Sequence, residues 1–204
     1  QYGNYVRRDL SDGTSYRITP RHEVGEDRYR YNWNTPVELS HHNPDIVYFG
    51  SQRLNRSFDE GKSWKAISPD LSYNLPNGDV PFSTITTIAE SPLSFEIIWI
   101  GTDDGKVQRT TDGGATWIDV SEGLPAYRWI SEVHASSHDP SIAYVSLNGY
   151  RFDEFVTNVY KTTDFGETWV SVKGNLPDDV VNIVVQDPIE PQILYVGLDH
   201  GSYI

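Results

Sequence analysis

The sequence predicts an all-β protein assembled from repeats of about 50 residues, and three observations predict it. Three octapeptides match one another: Ser57-Phe58-Asp59-Glu60-Gly61-Lys62-Ser63-Trp64, Thr110-Thr111-Asp112-Gly113-Gly114-Ala115-Thr116-Trp117 and Thr162-Thr163-Asp164-Phe165-Gly166-Glu167-Thr168-Trp169. Their aspartates are spaced 53 and 52 residues apart. The flanks repeat too, as short β-branched and aromatic runs separated by turn residues, and no segment sustains a helical period. Four short strands per repeat at this period are the mark of a β-propeller, in which radial repetition protects the sheet edges.

Each repeat reads as strands a, b, c and d. Strand a is expected at 84–90, 130–135 and 180–186. A turn containing proline (Pro44, Pro92, Pro140, Pro188) leads into strand b at 46–50, 97–101, 142–146 and 193–197. The octapeptide forms the c–d turn, and strand d follows at 65–67, 118–120 and 170–172. Within the octapeptide, Gly61, Gly114 and Gly166 supply the positive φ of a tight hairpin. Asp59, Asp112 and Asp164 accept from backbone N–H groups of the turn, which lowers their pKa. Ser57, Thr110 and Thr162 add hydroxyl bonds, and Trp64, Trp117 and Trp169 wedge between sheets. All twelve are expected to be structural. A worn copy, Asp9-Leu10-Ser11-Asp12-Gly13-Thr14-Ser15-Tyr16, has Ser for the key Asp and Tyr for Trp.

The expected organisation is one partial propeller over 1–204: a c–d hairpin at 4–20, full blades at 33–83, 84–129 and 130–179, and an incomplete blade at 180–204. The remaining blades are expected from the same or a partner chain, since four blades is the rare minimum for a closed ring.

Lys and Arg number 16 against 29 Asp and Glu, a net charge of −13. Such a chain has no excess of cations to displace phosphate counterions, which argues against nucleic acid and anionic membranes as partners. There is no cysteine, so no disulfide or thiolate metal site. No apolar run approaches the roughly 20 residues that span a bilayer. His41, His42 and His138 fall in a–b turns without metal-ligand spacing and read as surface residues. No metal or cofactor is expected.

The octapeptides resemble the Asp box, or BNR repeat, of sialidases, xyloglucan-cleaving propeller hydrolases, sortilin-type VPS10 domains and propeller-type photosystem II assembly factors. The longer pattern is most similar to large bacterial VPS10/sortilin-like proteins labelled glycosyl hydrolase with BNR repeats. It lies in Tyr31-Asn32-Trp33-Asn34-Thr35-Pro36, Thr84-Ile85-Thr86-Thr87-Ile88-Ala89-Glu90-Ser91-Pro92, Gly101-Thr102-Asp103-Asp104-Gly105 and Val159-Tyr160-Lys161-Thr162-Thr163-Asp164. The resemblance implies an exported protein: secreted, periplasmic or on the cell surface. The chain lacks the cysteine-rich module of animal sortilins and the Arg-Ile-Pro-like segment that begins a sialidase site, so sialidase chemistry is not expected.

Propeller topology puts a–b and c–d turns on one face and d–a and b–c loops on the other, where ligands of such folds usually sit. The b–c loops are 50–54, 101–106, 146–158 and 197–201, and the d–a loops are 70–83, 121–129 and 174–179. They carry the ligand-binding candidates Arg53, Asp103, Asp104, Arg128, Trp129, Tyr150, Arg151, Asp153, Asp199 and His200. The aromatic and charged run 148–155 suits a sugar or a peptide. In the xyloglucan hydrolases a Thr-Asp at a similar blade position supplies a catalytic Asp. The resemblance therefore makes Asp103 the first catalytic candidate, with Asp199 at the same repeat position, and Asp153 and Glu154 as further carboxylates. The plainer readings are a b–c turn for 102–105, an Arg151–Asp153 pair in a solvated loop and a core role for Trp129. The expected function is a recognition scaffold binding a protein, peptide or glycan on the face opposite the octapeptides. The alternatives are a two-carboxylate glycoside hydrolase and a photosystem-type assembly factor.

Overall fold

A computed structural model describes residues 1–76 and 78–204. Strands β1 (Val6–Arg8) and β2 (Ser15–Arg17) form a hairpin. The first four-stranded sheet holds β3 (Val37–Leu39), β4 (Val47–Gly50), β5 (Leu54–Ser57) and β6 (Lys65–Ala66). The second holds β7 (Ile85–Ser91), β8 (Ser94–Thr102), β9 (Val107–Thr110) and β10 (Ile118–Asp119). The third holds β11 (Trp129–Ala135), β12 (Ala143–Asn148), β13 (Asn158–Thr162) and β14 (Val170–Ser171). A three-stranded sheet of β15 (Val181–Gln186), β16 (Leu194–Leu198) and β17 (Gly201–Tyr203) follows. Every sheet is an antiparallel meander in chain order. The first strands of successive sheets pack together, β7 on β11 and β11 on β15, and so form a continuous inner wall.

The central strands are buried on both faces, which is why they read as unbroken apolar runs. In β8, Ile98 and Ile100 pack toward the first sheet while Ile97 and Trp99 pack toward the third. The period of two thus sends alternate side chains into two different cores.

The three octapeptide turns have one geometry. The Asp59 carboxylate accepts from the Ser57 hydroxyl (2.7 Å), the Ser63 N–H (2.8 Å) and the Ser63 hydroxyl (2.6 Å). Asp112 and Asp164 repeat the set with Thr110 and Thr116, and with Thr162 and Thr168. These donors, the hydroxyls of residues 63, 116 and 168 foremost, hold all three carboxyls down at about 2. Gly114 (φ +96°) sits where a Cβ would lie 2.8 Å from the Ile67 carbonyl of the preceding sheet, so both conformation and space demand glycine. Trp117 and Trp169 then donate their indole N–H to Ile67 O (2.9 Å) and Val120 O (2.7 Å) of the preceding sheet. The worn copy has none of this carboxylate set. Its turn is held by Asp9 accepting from Ser11 and Asp12 accepting from Thr14, and the buried Trp64 indole N–H has no partner among the described residues.

Strands β7, β11 and β15 each carry a bulge near the start of the strand, at Thr86, Ser131 and Asn182. Two of these residues stitch the inner wall: the Thr86 hydroxyl donates to Ile130 O (2.7 Å) and the Ser131 hydroxyl to Val181 O (2.8 Å). At the opposite end of the same strands, Glu90 is 1% exposed and accepts from the Ser40 hydroxyl, the His41 N–H and the Tyr48 hydroxyl. Gln186 occupies the same place two sheets on, bonded to Ser136 and Tyr144. His42 and His138, expected as plain surface residues, are exposed but hydrogen-bond through the ring to Ser91 O and Asp187 O of the next sheet.

Candidate functional site

The loop side of the inner wall holds a cleft of about 430 Å³. Its walls are Tyr2, Asn32, Trp33, Phe82, Trp129 and Arg151, and Asp103 lies at its base. Each arrives for a local reason. Trp129 opens β11 and is half-buried, so one part of its indole packs and the other faces the cleft. The 3₁₀ turn Tyr150–Phe152 ends in the left-handed Asp153 (φ 54°) and lifts Arg151 over Trp129, with the guanidinium carbon 4.1 Å from the ring centroid. Arg151 also stands over the Tyr150 ring, 5.4 Å away. It forms no ion pair among the described residues, which corrects the expected pairing with Asp153. The physical reason is the left-handed turn at Asp153, which directs the loop back while Arg151 gains a cation–π contact.

Asp103 is 4% exposed. Its Oδ1 accepts from the Thr84 N–H (2.7 Å), and its Oδ2 from the Thr84 hydroxyl (2.7 Å) and the Asn32 amide (3.0 Å). Its own N–H returns a bond to Thr84 O. Burial pushes its carboxyl up to about 6, against the opposing pull of the Thr84 and Asn32 donors. The group therefore ties the b–c loop to the entry of β7 and to the segment before β3. Asp104 is fully buried and accepts from the Thr102 hydroxyl (2.6 Å) and the Tyr73 N–H (2.8 Å), which pins the d–a loop across the same face.

The other expected residues divide. Arg128 pairs with Glu154 at 2.5 Å and lies over Phe152, so Glu154 is engaged. Arg53 pairs with Glu26 at 3.5 Å, away from the cleft walls. Asp199 accepts from Asn182 (2.7 Å), and the His200 ring meets Asp179 at 3.1 Å; both are exposed on the last sheet and do not line the cleft. Asp153 and Tyr150 are exposed beside Arg151. Of the expected residues, the structure brings Asp103, Trp129 and Arg151 together. Sequence reasoning missed Tyr2, Asn32, Trp33 and Phe82. A Trp among polar residues at 31–36 was the available signal, since an aromatic outside any alternating strand pattern has no core to fill.

No family model matches the chain, and no curated protein matches it. Solved structures do. An ancestral GH74 enzyme superposes with a TM-score of 0.65 at 18% identity over 85% of this chain and 23% of its own. A GH74 enzyme from Niastella koreensis gives 0.66 at 16% identity over 97% of this chain and 30% of its own. YCF48 bound to D1 peptide gives 0.53 at 18% identity over 92% of this chain and 53% of its own. The chain thus spans less than a third of the length of these GH74 enzymes and about half of YCF48. At these identities the likeness is one of fold: an all-β chain with the four-stranded antiparallel blades of a β-propeller, about four of them.

Proposed function

We propose that the chain belongs to a propeller-type recognition scaffold that binds a protein or peptide ligand in the loop-side cleft. The observation that carries this reading is the pairing of an aromatic-walled cleft with one free cation. Arg151 is exposed, stacked on Trp129 and without an ion-pair partner among the described residues. A guanidinium held over an aromatic ring in this way keeps its donor fork for a carboxylate or carbonyl of the ligand and loses little entropy on binding. Trp33, Phe82 and Trp129 supply rigid apolar area for the rest. YCF48, a neighbour in fold, was solved bound to a peptide, which favours the same ligand class here. We further assign the octapeptides to the Asp-box type, on the shared hydrogen-bond set of Asp59, Asp112 and Asp164, and the protein to an exported location.

The second reading, glycoside hydrolysis, is favoured by the GH74 neighbours and by the raised pKa of Asp103. It requires two carboxylates about 5–9.5 Å apart across the scissile bond, one of them free to present a proton. Asp103 is the one carboxylate among the cleft-lining residues described, and both its oxygens hold protein donors. A peptide-array screen run beside a xyloglucan-oligosaccharide hydrolysis assay separates the readings. The scaffold reading expects peptide binders and no turnover. Turnover that Asp103→Asn abolishes would overturn it.

A further inference from the structure

The six tryptophans fall into three pairs. Trp117 and Trp169 donate their indole N–H to the preceding sheet, and Trp64 and Trp99 bury theirs without a partner among the described residues. Trp33 and Trp129 do neither, and both line the loop-side cleft. Trp33 is half exposed. The Trp129 N–H keeps accessible surface and has no protein acceptor among the described residues.

Three successive sheets each send one aromatic side chain to this cleft. Trp33 comes from the segment before β3, Phe82 from the loop before β7, and Trp129 opens β11. Tyr2 meets Trp33 edge-on, with ring centroids 5.2 Å apart, and Arg151 covers Trp129. Val80 and Pro81 add exposed apolar surface beside Phe82.

The polar side chains of the lining are unbalanced. Asp103 accepts from Thr84 and Asn32 and is almost wholly covered. Asn32, covered as well, donates to Thr84 and Asp103 and accepts from the Asn34 N–H at 3.1 Å. The polar groups left to meet a ligand are the Arg151 guanidinium, the Trp129 N–H and the Tyr2 hydroxyl, and only the hydroxyl can also accept. A matching ligand is therefore rich in acceptors and poor in donors, with apolar faces for the three rings and a negative charge for Arg151. A glycan matches badly, because each of its hydroxyls brings a donor. An α-helix spends its carbonyls internally, and an extended strand presents N–H groups as often as carbonyls. A polyproline II segment has no internal hydrogen bonds, so its carbonyls are open, and each proline lacks an N–H.

We infer, on the reading that the cleft binds a peptide, that its ligand is a proline-rich segment carrying an acidic residue. The rings of Trp33, Phe82 and Trp129 pack against pyrrolidine rings, the Trp129 N–H and the Tyr2 hydroxyl donate to ligand carbonyls, and Arg151 takes the carboxylate. The net charge of −13 does not undo this last pairing, because exposed charges more than about 10 Å away are largely screened at about 0.1 M salt.

Calorimetric titration of the full chain with four probes tests this. They are acetyl-Pro-Pro-Glu-Pro-Pro-amide, the same peptide with Lys for Glu, the same peptide with Ala for every Pro, and a xyloglucan oligosaccharide. The first is expected to bind about ten-fold or more tightly than each of the others. Arg151→Gln is expected to abolish the preference for Glu over Lys and to retain that for Pro over Ala. Trp33→Ala, at an exposed position, is expected to do the reverse, a split that a merely misfolded cleft would not produce. Lysine or alanine peptide binding as tightly as the first, or no binding of any probe, would overturn the inference; peptide recognition would then stand or fall by the array screen. Oligosaccharide binding with no peptide bound in either experiment would overturn both.

Discussion

The two ends of the inner wall each bury a carboxylate whose pKa is raised, and they use it in opposite ways. At the loop side, Asp103 is raised to about 6 and both its oxygens accept from Thr84, with Asn32 added on Oδ2. At the turn side, Glu132 is raised to about 7 and accepts one bond, from Thr87. Burial is the leading cause in both, so the shifted value does not distinguish a structural carboxylate from an available one. The number of donors already on the oxygens does. Asp103 is committed to joining two loops and a strand, whereas Glu132 has one donor among the described residues and acceptor capacity left. The octapeptide aspartates complete the contrast. They lie at the surface with a full set of turn donors, and their carboxyls fall to about 2.

The largest expected effect comes from the turn side. Glu132 titrates at about 7 in the fold against an ordinary 4.5, so the folded chain holds a proton that the unfolded chain has released. Stability therefore falls as pH rises from 4.5 to about 7. Glu132→Gln removes that cost. In urea unfolding the variant is expected to match the wild type near pH 4 and to exceed it by about 3 kcal/mol near pH 8. A variant less stable at pH 8 would show that Glu132 is satisfied after all. The loop side is expected to respond with the opposite sign. Asn32 is 3% exposed and bridges Thr84 and Asp103. Asn32→Ala is expected to cost about 2 kcal/mol and to raise the Asp103 pKa further, read by unfolding and by carboxyl NMR. Trp117→Phe, at the seam between the first two sheets, keeps the wedge but loses the indole bond to Ile67 O. Its expected cost is about 1 kcal/mol, seen as a shifted denaturation midpoint with an unchanged slope.

The fold was largely legible because the octapeptides are local. Ser57, Asp59, Gly61, Ser63 and Trp64 lie within eight consecutive residues, so one spacing announces the turn, the strands beside it and the seam to the next sheet. The site was less legible because its contacts are long-range. Asp103 stood out as a Thr-Asp, but the Asn32 that occupies its Oδ2 comes from 71 residues upstream. The Arg151–Trp129 stack depends on a left-handed residue at Asp153; aspartate tolerates that conformation better than its neighbours, but the residue type alone does not say which aspartate of a loop adopts it. Glu132, at the turn side, was invisible for a different reason. The bulge at Ser131 breaks the alternation on which inside and outside are assigned along β11, so Glu132 did not read as facing the wall.

The claim that the loop-side cleft recognises rather than cuts its ligand rests on different roles for two of its residues. The affinity of the best array-selected peptide, measured by calorimetry for Arg151→Ala and Asp103→Asn, tests those roles together. Arg151→Ala is expected to weaken binding about ten-fold or more, and Asp103→Asn to leave it within about two-fold while the protein remains folded. Unchanged affinity in Arg151→Ala, with the loss appearing in Asp103→Asn instead, would contradict the account.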